Sequence, residues 1–309
     1  MTTTSTQHHY GDSGSEVKVS GLSVWMRQHP IVAYFSIAFA ITWALHMPMA
    51  LGKQGLGIFP YEVPEALFVI LFILGAIAGP TLGAFLVTNA LDGKEGRRKL
   101  FRRYGQWRVG LPWYVLAIFG FPMIYLIAGS VALGRVPLIE MAANSGTFFS
   151  PYLIAVLIFP AFITWGEEPG WRGFALTRLQ EHYHPLLSTV IVGFMHGLWH
   201  LPVFTFGSGP IPLGPFDLSE FTLNTAMTIA TAIFFTWVFN HAKGSILIAV
   251  LIHASSNATQ AWMSVLIPDF PIEAAAKMIQ GSYFVLAVAL IFLTNGRLGY
   301  VADPSDKTE

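Results

Sequence analysis

The sequence predicts an all-α fold, a polytopic membrane protein with about eight transmembrane helices. Composition is the first observation behind this prediction: of 309 residues, 54% are hydrophobic and only 11% are charged. A soluble domain carries about 25% charged residues, so this chain has too little polar surface to cover a water-soluble particle. The second observation is that its apolar residues are gathered into long runs, and crossing the hydrocarbon core takes about 20 mostly apolar residues.

Eight apolar segments reach that length or come close to it. We divide the chain into a disordered polar N-terminal tail at 1–28, one membrane domain at 29–298 and a polar C-terminal tail at 299–309. The motifs described below place a catalytic core at about 150–260. The predicted spans are 30–51, 65–91, 111–134, 149–182, 185–206, 221–241, 244–266 and 280–296.

The orientation in the cell membrane is predicted by one basic loop between the second and third spans. Short cytoplasmic loops are enriched in Lys and Arg, so this loop should face the cytoplasm. Alternation then places both termini inside, and it places the mostly acidic loops 135–148, 207–220 and 267–279 outside. The loop residues, here called the basic cluster, are Lys94, Arg97, Arg98, Lys99, Arg102, Arg103 and Arg108.

Charge and cysteine usage exclude several classes of function. The formal net charge is zero and no basic stretch is interleaved with aromatic residues, so we expect no nucleic-acid partner. The chain has no cysteine, which excludes disulfides, thiolate metal sites and a cysteine nucleophile. The partners expected from composition are membrane lipids.

The first polar motif inside the membrane is Glu167-Glu168-Pro-Gly-Trp-Arg172. Ionisable residues at membrane depth usually mark a functional site. Glu168 and Arg172 are four residues apart, so they share a helix face and can pair. Glu167 is rotated away from that pair, which suits a general base. The alternative is that the pair only holds two helices together.

The second motif contains His196 and His200, again four residues apart and therefore on one face. This spacing can bind one metal ion, although the Glu that follows the first His of a zinc-protease helix is replaced by Gly197. If the fourth and fifth spans form a hairpin, Glu168 and His200 lie at similar depth. The alternative is that each imidazole merely bonds to a neighbouring helix.

The third motif places His253 and Asn257 on one face of the seventh span. A histidine and an amide can both donate hydrogen bonds to a developing oxyanion. Asn257 could equally be an interhelical hydrogen-bonding residue. Each polar residue has such a structural explanation, but three polar clusters on three apolar helices favour a site.

Taken in order, these motifs resemble a known family. EExxxR, then a His followed by Leu-Pro, then HxxxN is similar to the CAAX prenyl protease and bacteriocin-processing intramembrane proteases, also called the Abi family. Glu167, Glu168 and Arg172 match the first motif, His200 supplies the histidine of the second, FxxxH, and His253 with Asn257 matches the third. The phenylalanine of the second motif is replaced by His196. The resemblance covers residues 150–260.

The resemblance implies an intramembrane endopeptidase that cleaves a membrane-associated peptide, such as a prenylated CAAX-type peptide, by glutamate-activated water. Glu167 would be the general base, His200 would help to hold the water, and His253 with Asn257 would stabilise the oxyanion. Glu168 and Arg172 would support them, together with His196. A zinc ion held by His200 and His253 fits these residue types, which would make the enzyme a metalloprotease, but the same groups can polarise water without metal.

Two other functions stay open at the level of sequence. Intact motifs permit catalysis without proving it, so the chain could be a non-catalytic bacteriocin-immunity or scaffold protein. A proton-coupled transporter could use the same Glu and His residues as a relay. Transporters of that kind usually show related halves, and no internal repeat is evident in this sequence.

Overall fold

The computed structural model describes residues 21–157, 159–208, 215–268 and 270–302. Within these ranges the chain is helical and contains no extended strand, which confirms the all-α prediction. The α-helices are α1 (Gly21–Gln28), α2 (Pro30–Leu51), α3 (Glu65–Arg102), α4 (Leu111–Leu133), α5 (Leu138–Leu157), α6 (Phe159–Glu168), α7 (Thr177–His182), α8 (Pro185–Trp199), α9 (Leu218–His241), α10 (Ile246–Leu266) and α11 (Ile272–Leu293). A π-helical segment, Pro169–Leu176, joins α6 to α7.

Six helices among the described residues are long and apolar enough to cross a membrane, namely α2, α3, α4, α8, α9 and α11. Helix α10 has a shorter apolar stretch at Ile246–Thr259. The protein is therefore a multi-pass membrane protein, as predicted. All eight predicted segments are largely helical where described. Two of them, 149–182 and 244–266, do not reach the length and hydropathy of a single apolar span.

The predicted fourth span, 149–182, is not one helix. Helix α5 begins already at Leu138, α6 follows it, and the chain then changes from α- to π-helical geometry at Pro169. Proline cannot donate a backbone hydrogen bond, so it favours a change in helical geometry at this point. The helix type therefore changes at Pro169, directly after Glu168.

The predicted N-terminal tail is wrong for its last eight residues, because α1 occupies 21–28. Arg27 Nη1 donates to the Leu91 carbonyl at 3.2 Å and ties α1 to α3. Residues 1–20 of that tail lie outside the described residues, as do residues 303–309 of the predicted C-terminal tail.

The helix bundle has two ends with different contacts. At the basic end, which carries the basic cluster, Arg178 pairs with Asp92 and Arg103 Nη1 donates to Thr177 Oγ1 at 2.6 Å. Helix α3 bends there at Gly93, whose φ of 58° and ψ of −142° suit only glycine. At the opposite end, the Ser208 amide donates to the Gln54 carbonyl at 2.9 Å.

Candidate active site

The π-helical segment carries the first polar motif into the centre of the bundle. All eight of its residues are buried, and π-helical turns occur frequently at functional sites. Gly170 allows a close approach of two backbones, because a Cβ atom at this position would lie 2.7 Å from the Pro80 carbonyl oxygen and would also clash with Tyr34 Oη. The segment is therefore pressed against α2 and α3.

Glu168 is completely enclosed and makes two charge-assisted contacts. Its Oε1 atom accepts from Arg172 Nη1 at 2.8 Å and from His253 Nδ1 at 2.7 Å. The expected pair of Glu168 with Arg172 is thus present, and the guanidinium also lies 4.9 Å from the centre of the Phe235 ring. Glu168 links the first motif to the third.

Glu167 points to a different helix. Its Oε2 atom accepts from His196 Nε2 at 3.2 Å, and 5% of its side chain stays accessible, whereas none of the Glu168 side chain does. Two neighbouring carboxylates therefore turn to opposite partners, Glu167 to α8 and Glu168 to α10. Only Glu167 keeps any access to water.

The partner of Glu167 differs from the one we expected from sequence. We predicted that His200 would act with Glu167 and lie at the depth of Glu168, but the structure places His196 on Glu167 and His253 on Glu168. The depth estimate assumed one straight fourth helix. His196 precedes His200 by one helical turn, about 6 Å, and the change to π-helical geometry at Pro169 means that the fourth predicted span is not the straight helix that the estimate assumed.

His200 and His253 are both held through Nδ1. His200 Nδ1 lies 3.0 Å from the His196 carbonyl, and a carbonyl can only accept, so Nδ1 carries the proton. His253 Nδ1 likewise donates to Glu168. A neutral imidazole with its proton on Nδ1 has a lone pair on Nε2. Both residues can therefore accept a proton or a hydrogen bond at Nε2.

The three histidines meet at one place. The His196 ring stacks on Trp171 with centroids 4.6 Å apart and on His200 with centroids 4.9 Å apart, and its centroid lies 6.1 Å from that of His253. The predicted convergence of the second and third motifs is therefore present. The catalytic roles assigned to these residues stay predictions.

A cavity of about 820 Å³ begins at these histidines. His196, His200, His253 and Arg172 form part of its wall, Asn257 also faces it and is exposed, and Glu167 reaches the wall through His196. Sequence reasoning missed a polar row on α9 that completes the wall. The signal was the spacing of Asn224, Thr228 and Thr231, which repeats with a helical period inside an apolar span. Further wall residues are Tyr125, Phe204, Glu220, Met227, Phe235, Phe270 and Tyr283.

The residues meet only part of what a catalytic zinc ion needs. An imidazole that binds metal usually donates its other N–H to a carboxylate or carbonyl, and His200 and His253 do so. Catalytic zinc sites also use three protein ligands, yet the described residues contain no group of three His, Asp or Glu side chains placed to hold one ion. The donor set does not fit such a site, and we derive no step through metal.

Comparison with known proteins identifies what this site is similar to. Residues 148–259 match the family model described as type II CAAX prenyl endopeptidase Rce1-like. The CAAX prenyl protease 2 of Methanococcus maripaludis is 23% identical over 231 residues, which cover 74% of this chain and 82% of that protein. The matched range contains all three motifs, so the resemblance predicted from them is confirmed.

Proposed function

From its relationship to the type II CAAX prenyl endopeptidases, we propose that this chain is an intramembrane endopeptidase. The observation that carries the proposal is the difference between the two glutamates. Glu168 is enclosed and bonded through Oε1 to Arg172 and His253, whereas Glu167 has one hydrogen-bond partner, His196 of the cavity wall, and keeps 5% of its side chain accessible. A carboxylate held in one orientation at the edge of a cavity is suited to take a proton from water.

The geometry suggests how water is activated. His196 donates from Nε2 to Glu167 and fixes the carboxylate. A water molecule beside them donates one hydrogen to Glu167 and the other to Nε2 of His200, whose Nδ1 proton is already engaged. The water oxygen then attacks the peptide carbonyl carbon while its proton moves to Glu167. His196 is a positioning residue in this scheme, and His200 contacts the water.

The tetrahedral oxyanion needs donors on the other side of the reacting carbon. Asn257 supplies amide hydrogens from the cavity wall. His253, whose Nδ1 is bonded to Glu168, joins Asn257 when both of its ring nitrogens carry a proton, because Nε2 then donates to the oxyanion. When the C–N bond breaks, the proton on Glu167 passes to the amine of the leaving fragment. The products are a carboxylic acid and an amine, and Glu167 is again an ionised carboxylate that can bind the next water.

The cavity suits a substrate that has both a peptide and an apolar part. Its volume of about 820 Å³ lies within the range of ligand-binding cavities. Its wall combines polar groups from α9 and α10 with aromatic or apolar groups such as Tyr125 of α4 and Ile279 of α11. We therefore propose a lipidated or membrane-embedded peptide as the substrate, with a prenylated CAAX-type peptide as the first one to test.

The test is cleavage of a fluorogenic peptide by the purified protein in detergent. One peptide carries a prenylated cysteine near its C-terminus, and a matched peptide lacks the prenyl group. Glu167→Gln keeps the size of the side chain and its contact with His196, so we expect activity to fall by about 10²–10⁴-fold with little change in thermal unfolding. His200→Ala should also lose activity.

Two variants at exposed positions control for these changes. Glu62→Gln and His182→Ala alter the same residue types outside the cavity, and we expect wild-type rates from both. Full activity in purified Glu167→Gln would contradict the mechanism. Normal cellular function of Glu167→Gln without any peptide cleavage would instead favour the scaffold or immunity function.

A further inference from the structure

A second cavity lies at the basic end of the bundle, between α3 and the segment that leads into α7. Its volume is about 390 Å³, which falls at the lower end of the range of ligand-binding cavities. It has no described wall residue in common with the active-site cavity, so it is a separate site. Its charged wall residues are Asp92, Glu95, Lys99, Arg103, Arg178 and Glu181.

The place of this cavity along α3 puts it at the level of lipid headgroups. From 66 to 91 the helix contains no charged residue, a stretch long enough to cross the hydrocarbon core, and Asp92 is the first charge after it. Helix α1 lies at the same depth, because Arg27 donates to the Leu91 carbonyl. Its Trp25 is exposed, and Trp is enriched at membrane–water interfaces. The cavity therefore lies where the headgroups of a bilayer begin.

Two of the charged wall residues neutralise each other, and two more keep their capacity for a ligand. Arg178 pairs with Asp92 and so joins α7 to α3. In the part of the chain that the structure describes, the Lys99 ammonium has no ion-pair or hydrogen-bond partner, and Glu95 reaches only Arg98, at 4.0 Å on the surface. A cation and a carboxylate are thus available side by side, one helical turn apart.

Arg103 adds a second available cation. Its Nη1 atom donates to Thr177 Oγ1 at 2.6 Å and to the Gly173 carbonyl at 3.4 Å. A guanidinium carries five N–H donors on three nitrogens, and these bonds with described residues use one nitrogen. The other donors of Arg103 can bind an anion in the cavity.

The balance of charges distinguishes between kinds of headgroup. Three carboxylates and three cations line the cavity, so its wall is formally neutral although the surrounding end is basic. A purely anionic headgroup would bring its charge next to Glu95 and Glu181, which is unfavourable. A headgroup with both a phosphate and a primary ammonium suits both signs. Its phosphate oxygens accept hydrogen bonds from cations, and its ammonium donates to carboxylates.

We propose that this cavity binds the phosphoethanolamine headgroup of a membrane phospholipid. Lys99 and Arg103 bind the phosphate, and Glu95 and Glu181 bind the ammonium. A choline headgroup has the same charges, but its quaternary ammonium has no N–H to donate, so the site discriminates against it. The proposal does not depend on the endopeptidase function.

The π-helical segment is the partition between this cavity and the active site. Arg172 lines the active-site cavity, and the next residue, Gly173, lines the second one. Thr177 Oγ1 accepts from Arg103 and donates to the Arg172 carbonyl at 2.9 Å. A lipid bound to Arg103 therefore holds the outer side of the segment that carries the first motif.

Thermal unfolding in mixed detergent–lipid micelles tests the site, because a ligand that binds only the folded protein raises its unfolding temperature. The purified protein is compared after addition of phosphatidylethanolamine, phosphatidylcholine or phosphatidylglycerol. We expect phosphatidylethanolamine to raise the unfolding temperature by about 2–4 °C more than either of the other lipids.

Four variants at exposed positions assign this shift to the cavity. Glu95→Gln should abolish the preference for phosphatidylethanolamine over phosphatidylcholine, because the ammonium loses a charged acceptor. Lys99→Gln should reduce the shift caused by every lipid, because the phosphate is common to all three. Lys53→Gln and Glu62→Gln, at the opposite end, are the matched controls and should keep the wild-type shifts.

Three results would overturn the proposal. The first is an equal shift from the three lipids, or a preference for phosphatidylethanolamine that survives in Glu95→Gln. The second is a larger shift from phosphatidylglycerol that grows in Glu95→Gln, which would indicate a site for anions. The third is an equal shift from water-soluble glycerophosphoethanolamine at the same concentration, which would overturn the lipid as the source of the headgroup.

Hydrogen–deuterium exchange locates the bound lipid. Phosphatidylethanolamine should slow amide exchange in peptides from 92–103 and 173–182 relative to phosphatidylcholine, while peptides from α11 should not change. Unchanged exchange in both cavity segments would contradict the proposal. None of these measurements requires peptide cleavage, so the site can be refuted while the endopeptidase stands, and the reverse is equally possible.

Discussion

Glu167 and Glu168 are adjacent in sequence, yet they occupy two different regions of the protein. Glu168 lies in an enclosed network with Arg172 and His253, at 2.8 Å and 2.7 Å. Glu167 keeps 5% of its side chain accessible and has a single histidine partner at 3.2 Å, His196, which lines the cavity. The difference shows that the same residue type can stabilise a fold at one position and remain available for chemistry at the next.

The largest effect on stability should come from Glu168→Gln. The substitution preserves volume but leaves the buried Arg172 guanidinium without its counter-ion, which costs about 3–5 kcal/mol in comparable buried pairs. Glu167→Gln should cost about 1 kcal/mol, since a neutral amide can still accept from His196. Denaturant titration of the purified protein in detergent measures both. Equal losses would remove the distinction between the two regions.

The double variant Glu168→Gln/Arg172→Met tests the cause of that loss. Replacing both partners of a buried pair by neutral groups is often close to neutral in stability. The double variant should therefore be more stable than Glu168→Gln alone. A further loss would mean that Arg172 stabilises the fold mainly through its contact with Phe235.

Asn257→Ala should lower the rate of cleavage without destabilising the enclosed network around Glu168. Removing one donor to an oxyanion lowers kcat by about 10²–10³-fold. Asn257 is exposed, so the unfolding free energy should change little. Steady-state kinetics and denaturant titration check the two parts. Ser282→Ala on α11, outside the cavity wall, is the control and should match the wild type in both.

Gly170→Ala should destabilise the contact on which the enclosed region rests. Its Cβ would lie 2.7 Å from two atoms of Pro80, and overpacking of this kind typically costs about 1–3 kcal/mol. Gly281→Ala is the matched control because nothing lies within 4 Å of its Cβ. That change in a helix should stabilise by about 0.5–1 kcal/mol. Thermal unfolding of the two variants should therefore shift in opposite directions.

The smallest expected effect is that of Thr228→Val on the cavity wall. The change keeps the shape and removes one acceptor, and a single hydrogen bond contributes about 0.5–1.5 kcal/mol. The KM for the peptide should rise by about two- to tenfold while kcat stays unchanged. Thr222→Val is the control, since Thr222 is exposed on the same helix outside the cavity. A fall in kcat without a change in KM would place Thr228 in the chemistry instead of in binding.

Hydropathy predicted the bounds of a helix correctly where the polar residues lie outside the helix or at its ends. The predicted bounds 30–51 and 111–134 agree with α2 and α4 to within one residue. Hydropathy failed where polar residues lie inside a helix. Glu140 and Asn144 lower the mean hydropathy of the first turns of α5, and Lys277 does the same for α11, so these turns were not predicted as part of a span. A hydropathy window cannot distinguish a polar loop from a helix that begins with polar residues.

Sequence spacing predicted some of the contacts among the candidate residues but not all of them. Helical spacing alone was enough to pair Glu168 with Arg172, because both lie within one turn. The partner of Glu167 depends on how α8 is placed against the π-helical segment, and a change of helix type at Pro169 leaves no hydropathy signal. Sequence alone therefore favours His200 over His196 as the partner of Glu167, although His196 is the residue that contacts it.

The tight apolar packing of Leu100, Leu176, Ile246 and Val250, toward the basic end of the bundle, has a kinetic consequence. Leu176, Ile246 and Val250 are buried on the basic side of the histidines, so we expect both fragments of a cleaved peptide to leave through the half of the cavity that admitted the substrate. Each turnover then includes a period in which a departing fragment blocks the next substrate. A fragment that keeps its membrane anchor should diffuse away slowly, so we expect the anchored product to inhibit cleavage competitively.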